Sequence, residues 1–225
     1  MSDTLSKKID ILFRQDKWAK ARKLLEKERE KDPTHHWVLT QLGVTFYEER
    51  RYEEALQLFR ASLQIVQDCP LTLWHAAGAL DSLCRHEEAV PIYAWLLRAS
   101  VSADEDPCWE SKEWADALKT DCVYRLGLCF EHLGKREKAE HCYLQYVRLL
   151  ATGSEGMYPV DEVLSRVRRL SSDAGSEERK KGLRAAIKST LTVVEPKSRR
   201  NGAPGRAPRL NARELLPGKL AASKR

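Results

Sequence analysis

The sequence lacks the features that mark membrane, secreted and disulfide-stabilised proteins. No apolar run reaches the roughly 18 residues that a membrane-spanning helix needs. The N-terminal segment, MSDTLSKKIDILF, does not contain the apolar core of a signal peptide. The six cysteines form neither a C-x-x-C pair nor a regular framework. We therefore expect a cytoplasmic protein with free thiols and no membrane span.

Metal-binding and catalytic motifs are missing as well. Cys129 precedes His132 by three residues and His141 adjoins Cys142, but zinc needs four ligands, usually at paired spacings that this sequence does not contain. The sequence has no Gly-rich phosphate loop, no H-E-x-x-H and no G-x-S-x-G motif. We predict a binding module with no metal, no cofactor and no enzymatic activity.

What the sequence does contain is a helical hairpin at residues 36–63. Its first half places Leu39, Leu42 and Phe46 on one side at helical spacing, and its second half does the same with Ala55 and Phe59. The polar segment EERRYEE lies between the two halves. Neither amphipathic helix can bury its apolar stripe alone, so the hairpin needs neighbours.

The same pattern returns at a fixed period of 34 residues, with a fourth copy 50 residues after the third. The matched positions, in chain order, are Leu5, Leu12, Ala21 and Leu25; Leu39, Phe46, Ala55 and Phe59; Leu73, Leu80, Ala89 and Tyr93; and Val123, Phe130, Ala139 and Tyr143.

This pattern resembles the tetratricopeptide repeat (TPR), which has a period of 34 residues and L-G-x2-Y, A-x3-F and Pro landmarks. The matching residues are Leu42-Gly43-x2-Phe46 with Ala55-x3-Phe59, and Leu126-Gly127-x2-Phe130 with Ala139-x3-Tyr143. Pro33 falls at the Pro position of the first copy. Ile9 and Ala77 replace the landmark Gly in the first and third copies, so these two are degenerate.

The resemblance implies an all-α fold, a right-handed α-solenoid of four TPR hairpins. Val160, Val163, Leu164 and Val167 share one face of a further segment, which we predict to cap the stack. The predicted boundaries are residues 2–152 for the repeat domain, with repeats at 2–35, 36–69, 70–103 and 120–153, an insertion at 101–119, a capping helix at 157–171 and a largely disordered basic tail at 172–225.

Two charged segments and the insertion invite separate interpretations. The insertion is acidic around Pro107 and then carries Trp109 and Trp114; it either packs on the domain as a loop or a lengthened helix, or contacts a partner. The helix from Lys17 to Lys31 mixes both signs, so its simplest interpretation is a solvated face with i,i+4 ion pairs.

The tail carries most of the positive charge. Residues 179–225 hold fourteen Lys and Arg against two acids, so they contribute +12 to the net charge of +6 and residues 1–178 contribute −6. Such an arm suits weak, salt-sensitive contact with nucleic acid or another polyanion, or with an acidic protein surface that includes its own repeats. It has no interleaved aromatics for base stacking. The candidate polyanion contacts are Lys197, Arg199, Arg200, Arg206, Arg209 and Arg213.

The resemblance also implies a binding groove, because the first helices of TPR hairpins line a concave surface that holds a partner peptide or helix. The residues carried over to this groove are Asp10, Phe13, Trp37, Val44, Tyr47, Trp74, Asp81, Tyr124, Leu128 and Glu131. The Lys, Asn and Arg clamp of the best-known groove is absent, since those positions hold Ser6, Asp10, Gln41, Leu71 and His75. The aromatics would anchor a partner, although some of them, such as Trp37 and Tyr124, could instead pack between hairpins.

We therefore predict a scaffold or adaptor that binds a protein segment in the groove. The alternative is a nucleic-acid-associated factor that acts through the basic tail. The tail residues from Arg209 to Leu216 combine arginines with leucines, so they could also occupy the groove in cis or in trans. The oligomeric state stays open.

Overall fold

A computed structural model describes residues 3–99, 111–172 and 185 of the chain. Within these residues the secondary structure is helical and contains no strand, which confirms the predicted all-α class. The helices are α1 (Asp3–Arg14), α2 (Trp18–Lys31), α3 (His36–Glu48), α4 (Tyr52–Ile65), α5 (Pro70–Ser82), α6 (His86–Arg98), α7 (Lys112–His132), α8 (Arg136–Ala151) and α9 (Val160–Ser172). Among the described helices, none is both long and apolar enough to cross a membrane.

The described residues form two compact units, and the boundary between them along the chain falls within α6. The first ends at Ile92 and contains α1 to α5 with the first half of α6. The second begins at Tyr93 and contains the rest of α6 with α7, α8 and α9. The five described cysteines, which are distributed over both units, are free thiols as expected.

The predicted period is visible in the turns between paired helices. Asp16, Arg50, Cys84 and Gly134 all have positive φ angles, between 53° and 69°, and they recur at the 34- and 50-residue intervals of the sequence pattern. In each turn the backbone N–H of the next residue donates to the carbonyl five residues earlier, over 2.8–2.9 Å. This hydrogen bond, together with a residue in the left-handed conformation, ends the first helix of each pair. The chain thus forms the four predicted hairpins.

The marker positions on the second helices are buried in all four hairpins: Ala21, Leu25, Ala55, Phe59, Ala89, Tyr93, Ala139 and Tyr143. On the first helix of each hairpin, the marker nearer the turn differs in burial from one hairpin to the next. Leu80 is buried, whereas Leu12, Phe46 and Phe130 are half-buried. Phe46 has a further role, since the guanidinium groups of Arg22 and Arg51 lie 4.1 and 4.4 Å from its ring centroid.

Three buried hydroxyl groups join α3, α4 and α5 in the first unit. Thr40 Oγ1 lies 2.8 Å from both Ser62 Oγ and Thr72 Oγ1. Thr40 and Ser62 also donate to the carbonyl of His36, over 2.9 and 2.8 Å. All three side chains are fully buried. Because buried polar groups are costly when unpaired, this cluster fixes the relative positions of three helices.

The described part of the predicted insertion lengthens α7. Ser111 caps this helix by accepting a hydrogen bond from the backbone N–H of Trp114 over 3.1 Å, and Trp114 itself is half-buried. The first helix of the fourth hairpin is therefore extended at its N-terminal end. Residues 101–110, with Trp109, lie outside the described part of the chain.

The expectation of i,i+4 ion pairs along α2 is wrong for the described residues. The ion pairs of this helix join Lys31 to Glu28, three residues apart, and Arg22 to Glu49, which directly follows α3. Lys20, Lys23 and Lys27 are exposed and form no ion pair with any described residue.

Candidate interaction surface

The predicted groove positions fall into columns that recur through the hairpins, and the columns differ in exposure. Thr40, Trp74 and Tyr124 occupy equivalent positions, and all three are buried. Phe13, Tyr47, Asp81 and Glu131 occupy another set, in which Phe13 is buried and the other three are half-buried. Two members of the buried column contact the element that follows: Thr40 contacts Thr72 of α5, and Tyr124 stacks on Tyr158, which precedes α9. The predicted groove positions are therefore accessible to different degrees.

Four predicted anchors leave little side-chain surface for a partner. Phe13, Val44, Trp74 and Tyr124 have exposed fractions of 7%, 5%, 4% and 1%. Phe13 packs against Trp18 across the first hairpin turn, with ring centroids 5.1 Å apart. The sequence left two alternatives for Tyr124, packing and partner binding. The structure shows that Tyr124 is packed in the interior.

Tyr47 is half-buried and held on several sides within the first unit. Its ring meets Tyr52 and His75 edge to face, with centroids 5.3 and 6.0 Å apart. His75 in turn stacks on Phe59 at 5.6 Å. The Tyr47 hydroxyl also lies close to Gly78, where an added Cβ would come within 3.2 Å of it. The tyrosine is thus fixed in orientation while part of its ring stays accessible.

Trp37 is the second half-buried aromatic of α3. It lies at the start of the helix, where its ring meets His35 edge to face at 6.5 Å. His35 also stacks with His36 at 6.3 Å. Trp37 and Tyr47 are ten residues apart, which is about 15 Å along a helix.

The acidic candidates of the first unit are half-buried. Asp10 lies on α1, and Asp81 lies near the end of α5. The carboxylate of Asp81 is hydrogen-bonded to Nδ1 of His86 over 2.8 Å. The Asp81 carboxylate is therefore already engaged within the first unit.

In the second unit, residues that follow the fourth hairpin contact its predicted groove positions. The Tyr124 ring stacks on Tyr158 with centroids 3.7 Å apart, and its hydroxyl donates to Glu162 over 2.8 Å. Burial, together with the hydrogen bond to the Glu162 carboxylate, raises the pKa of Tyr124 to about 12. The Tyr146 hydroxyl accepts from the Tyr158 N–H and donates to the Tyr158 carbonyl, over 2.8 and 2.9 Å.

Glu131 is engaged in the same way. It accepts a hydrogen bond from the Tyr143 hydroxyl over 2.6 Å and forms ion pairs with Arg166 and Arg169 of α9. Burial alone raises the pKa of Glu131, but the Tyr143 hydrogen bond and the two arginines outweigh it and hold the pKa below its usual value. Leu128 is half-buried on the same helix.

Asp121 holds the segment that leads into α9. Its side chain is 1% exposed, and its Oδ1 accepts the backbone N–H of Met157 over 2.9 Å. Burial raises the pKa of Asp121 to about 6. The apolar face of α9 is also buried, through Val163, Leu164, Val167 and Leu170.

The tail candidates Lys197, Arg199, Arg200, Arg206, Arg209 and Arg213 lie outside the described residues. The same holds for the segment from Arg209 to Leu216 that we considered as an occupant of the groove.

Comparison with known proteins identifies the repeats. Residues 38–71 and 120–149 match models described as tetratricopeptide repeat. These segments fall in the second and fourth copies, which carry the full Leu-Gly and Ala-x3-aromatic landmarks. A search of curated proteins finds no match to the chain.

Solved structures share the fold at low sequence identity. "MamA 41-end from Desulfovibrio magneticus RS-1" is 15% identical with a TM-score of 0.59, and the match covers 86% of this chain and 96% of that one. A structure titled "Crystal structure of MamA" is 13% identical with a TM-score of 0.58, covering 82% and 93% of the two chains. The matched segments show that the chain contains tetratricopeptide repeats, and the structural likeness shows that it shares the fold of these proteins.

Proposed function

We propose that this protein is an interaction scaffold that binds a segment of a partner protein across the first helices of its first unit. Tyr47 carries the proposal, because its ring is held in one orientation by Tyr52 and His75 yet is partly exposed. Trp37, at the other end of α3, is the second proposed anchor. A rigid aromatic loses little conformational entropy on binding, which is why such residues dominate binding hot spots.

The distance between the anchors constrains the partner segment. A separation of about 15 Å corresponds to about ten residues of a partner helix. In an extended peptide it corresponds to four or five residues, at about 3.3 Å per residue. We therefore expect two apolar partner side chains at one of these spacings. Asp10 and Asp81, on the flanking first helices, favour Lys or Arg near the ends of the segment.

The fourth hairpin has a smaller part in this proposal than the sequence suggests. Tyr124 and Glu131 are already engaged by Glu162, Arg166 and Arg169. A partner would have to break these contacts before reaching either side chain. Leu128 stays a candidate contact.

The experiment that tests the proposal is site-specific photocrosslinking in a lysate of the source cells. A photoreactive phenylalanine analogue replaces Tyr47 in the full chain, or replaces Trp114 of α7 in a matched control. We expect one protein to crosslink from residue 47 and not from residue 114. Capture of that protein by unmodified bait should fall at least tenfold with Trp37→Ala and Tyr47→Ala combined, but not with Trp114→Ala, provided all baits keep their helical circular dichroism.

Equal capture by the Trp37 and Tyr47 double variant would contradict the proposal. The alternative, contact with nucleic acid through the tail, predicts a different pattern. Capture would then survive both aromatic variants, and nuclease treatment would release the captured material.

A further inference from the structure

The exposed face of α2 carries five lysines in one continuous row. We define the lysine row as Lys17, Lys20, Lys23, Lys27 and Lys31, each three or four residues after the last. Residues at this spacing are neighbours on a helix surface. All five side chains are exposed, and the row is about 21 Å long at 1.5 Å per residue.

Three of the five lysines form no ion pair with another residue in the part of the chain that the structure describes. Lys31 pairs with Glu28 over 2.8 Å, and Lys17 donates to Gln15 over 2.6 Å. Lys20, Lys23 and Lys27 form no ion pair with any described residue. Glu26 and Glu30 lie along one flank of the row and are likewise unpaired within the described part of the chain.

The first part of the row works against the helix that carries it. Like charges four residues apart, such as Lys23 and Lys27, repel each other. Positive charge near a helix N-terminus opposes the helix dipole. The other second helices, α4, α6 and α8, begin with acids such as Glu54 and Glu88, whereas the first turn of α2 contains none. The stability of the helix therefore does not account for the lysines near the start of α2.

We propose that the lysine row binds the phosphate backbone of double-stranded nucleic acid, without base recognition. A duplex carries one phosphate per about 1.7 Å of its axis, so a stretch as long as the row holds about a dozen, and those on one side of the duplex can face the lysines. A single strand is less suitable, because binding one depends on stacking of bases on aromatic side chains. The aromatic residues of this hairpin, Phe13 and Trp18, pack against each other, and Phe13 is buried.

This site is separate from the proposed anchors on α3 and does not depend on them. It also differs from contact through the basic tail, since it assigns polyanion binding to an ordered helix. Because each phosphate contact releases counterions, the salt dependence of binding reports the number of lysines engaged.

The test measures binding of a short fluorescein-labelled DNA duplex to the full chain by anisotropy, across a salt series. Lys20→Gln, Lys23→Gln and Lys27→Gln are combined in one variant. Each lost phosphate contact should lower the slope of log affinity against log salt by about 0.9, so the slope should fall by two to three. Affinity near 100 mM salt should fall at least about tenfold. The matched control combines Lys112→Gln, Lys135→Gln and Arg168→Gln, which remove the same charge from exposed positions of the second unit.

Three outcomes of the duplex measurement overturn the proposal. The wild-type chain fails to bind the duplex; or the lysine-row variant keeps the wild-type slope, which assigns binding to the tail; or the control variant lowers the slope equally, which assigns it to net charge. Labelled polyglutamate of similar length is measured in parallel. If it binds more tightly than the duplex and loses that binding in the lysine-row variant, the row is a site for acidic protein segments instead.

Discussion

The ring of Phe59 lies so close to the α-carbon of Gly43 that a methyl group at residue 43 would overlap it. The same relationship recurs in the fourth hairpin, where a Cβ at Gly127 would come within 2.6 Å of the Tyr143 ring. The Gly and aromatic landmarks of the repeat are therefore the two halves of one contact. The absent side chain lets the second helix of each of these hairpins approach the first.

We expect Gly43→Ala to destabilise the protein by about 1–3 kcal/mol, the usual cost of overpacking a core. Phe59→Leu should also destabilise, because it removes buried ring surface. The two changes should not add, since the smaller Leu side chain makes room for the methyl group. Urea unfolding of both single variants and the double variant gives the coupling free energy. Strict additivity would show that the ring does not limit residue 43.

Thr40→Val tests the hydroxyl cluster. The substitution keeps the shape of the side chain but removes the hydroxyl group that lies 2.8 Å from Thr72 Oγ1, so we expect a loss of about 1–3 kcal/mol. Thr40→Ser, which keeps the hydroxyl group, should lose less. Thr152→Val is the matched control, because Thr152 is exposed and donates only to the Leu149 carbonyl of its own helix. Equal unfolding midpoints for the Thr40→Val and Thr152→Val variants would contradict the assigned role.

The period and the landmark residues made the fold predictable. Leu42, Gly43 and Phe59 repeat their relationship at Leu126, Gly127 and Tyr143, so the pairing of helices follows from local sequence. A repeat pattern also assigns each position a side of its helix. It does not determine how much of that side the next element covers, which is why Trp37 is half-buried whereas Leu71, at the equivalent position of the next repeat, is buried.

The contacts of the fourth hairpin could not be predicted from the repeats. Tyr158, Glu162 and Arg166 lie beyond the last repeat, where the 34-residue pattern carries no information. Sequence reasoning found the apolar face of the capping segment but not its polar contacts. One signal was present: an aromatic, Tyr158, directly precedes Pro159 and the amphipathic segment. Trp74 and Tyr124 were assigned to the groove because position in the repeat alone does not reveal burial.

The hairpin turns make a third prediction. Arg50 adopts a φ of 61°, a conformation that costs a residue with a Cβ about 1–2 kcal/mol. Arg50→Gly should therefore raise stability by up to about 1 kcal/mol, after the greater flexibility of Gly in the unfolded chain is subtracted. Gly134→Ala, at the equivalent turn, should lower stability by a similar amount. Thermal melts of the two variants should shift in opposite directions, and shifts of the same sign would contradict the account.

The last prediction concerns Asp121, whose pKa is raised from 3.8 to about 6. A carboxyl group that binds its proton more tightly in the folded state stabilises that state at low pH. This contribution is complete below about pH 4 and is lost as the pH rises through about 6. A shift of this size corresponds to about 3 kcal/mol. Asp121→Asn keeps an oxygen for the Met157 N–H and carries no charge, so it should be more stable than the wild type at pH 7.5 by up to that amount.

The advantage should disappear as the pH falls to 4, where the wild-type side chain is itself neutral. Urea unfolding of both proteins at several pH values measures the difference, and other titrating groups cancel because they are common to both. Asp116→Asn is the matched control, since Asp116 is exposed on the same helix and should show no such pH-dependent gain. A variant less stable than the wild type at pH 7.5 would mean that the charge of Asp121 stabilises the fold, for instance through Arg125, whose attraction lowers the Asp121 pKa. The segment before α9 would then be held by a favourable buried charge, and the sign of its pH dependence would be reversed.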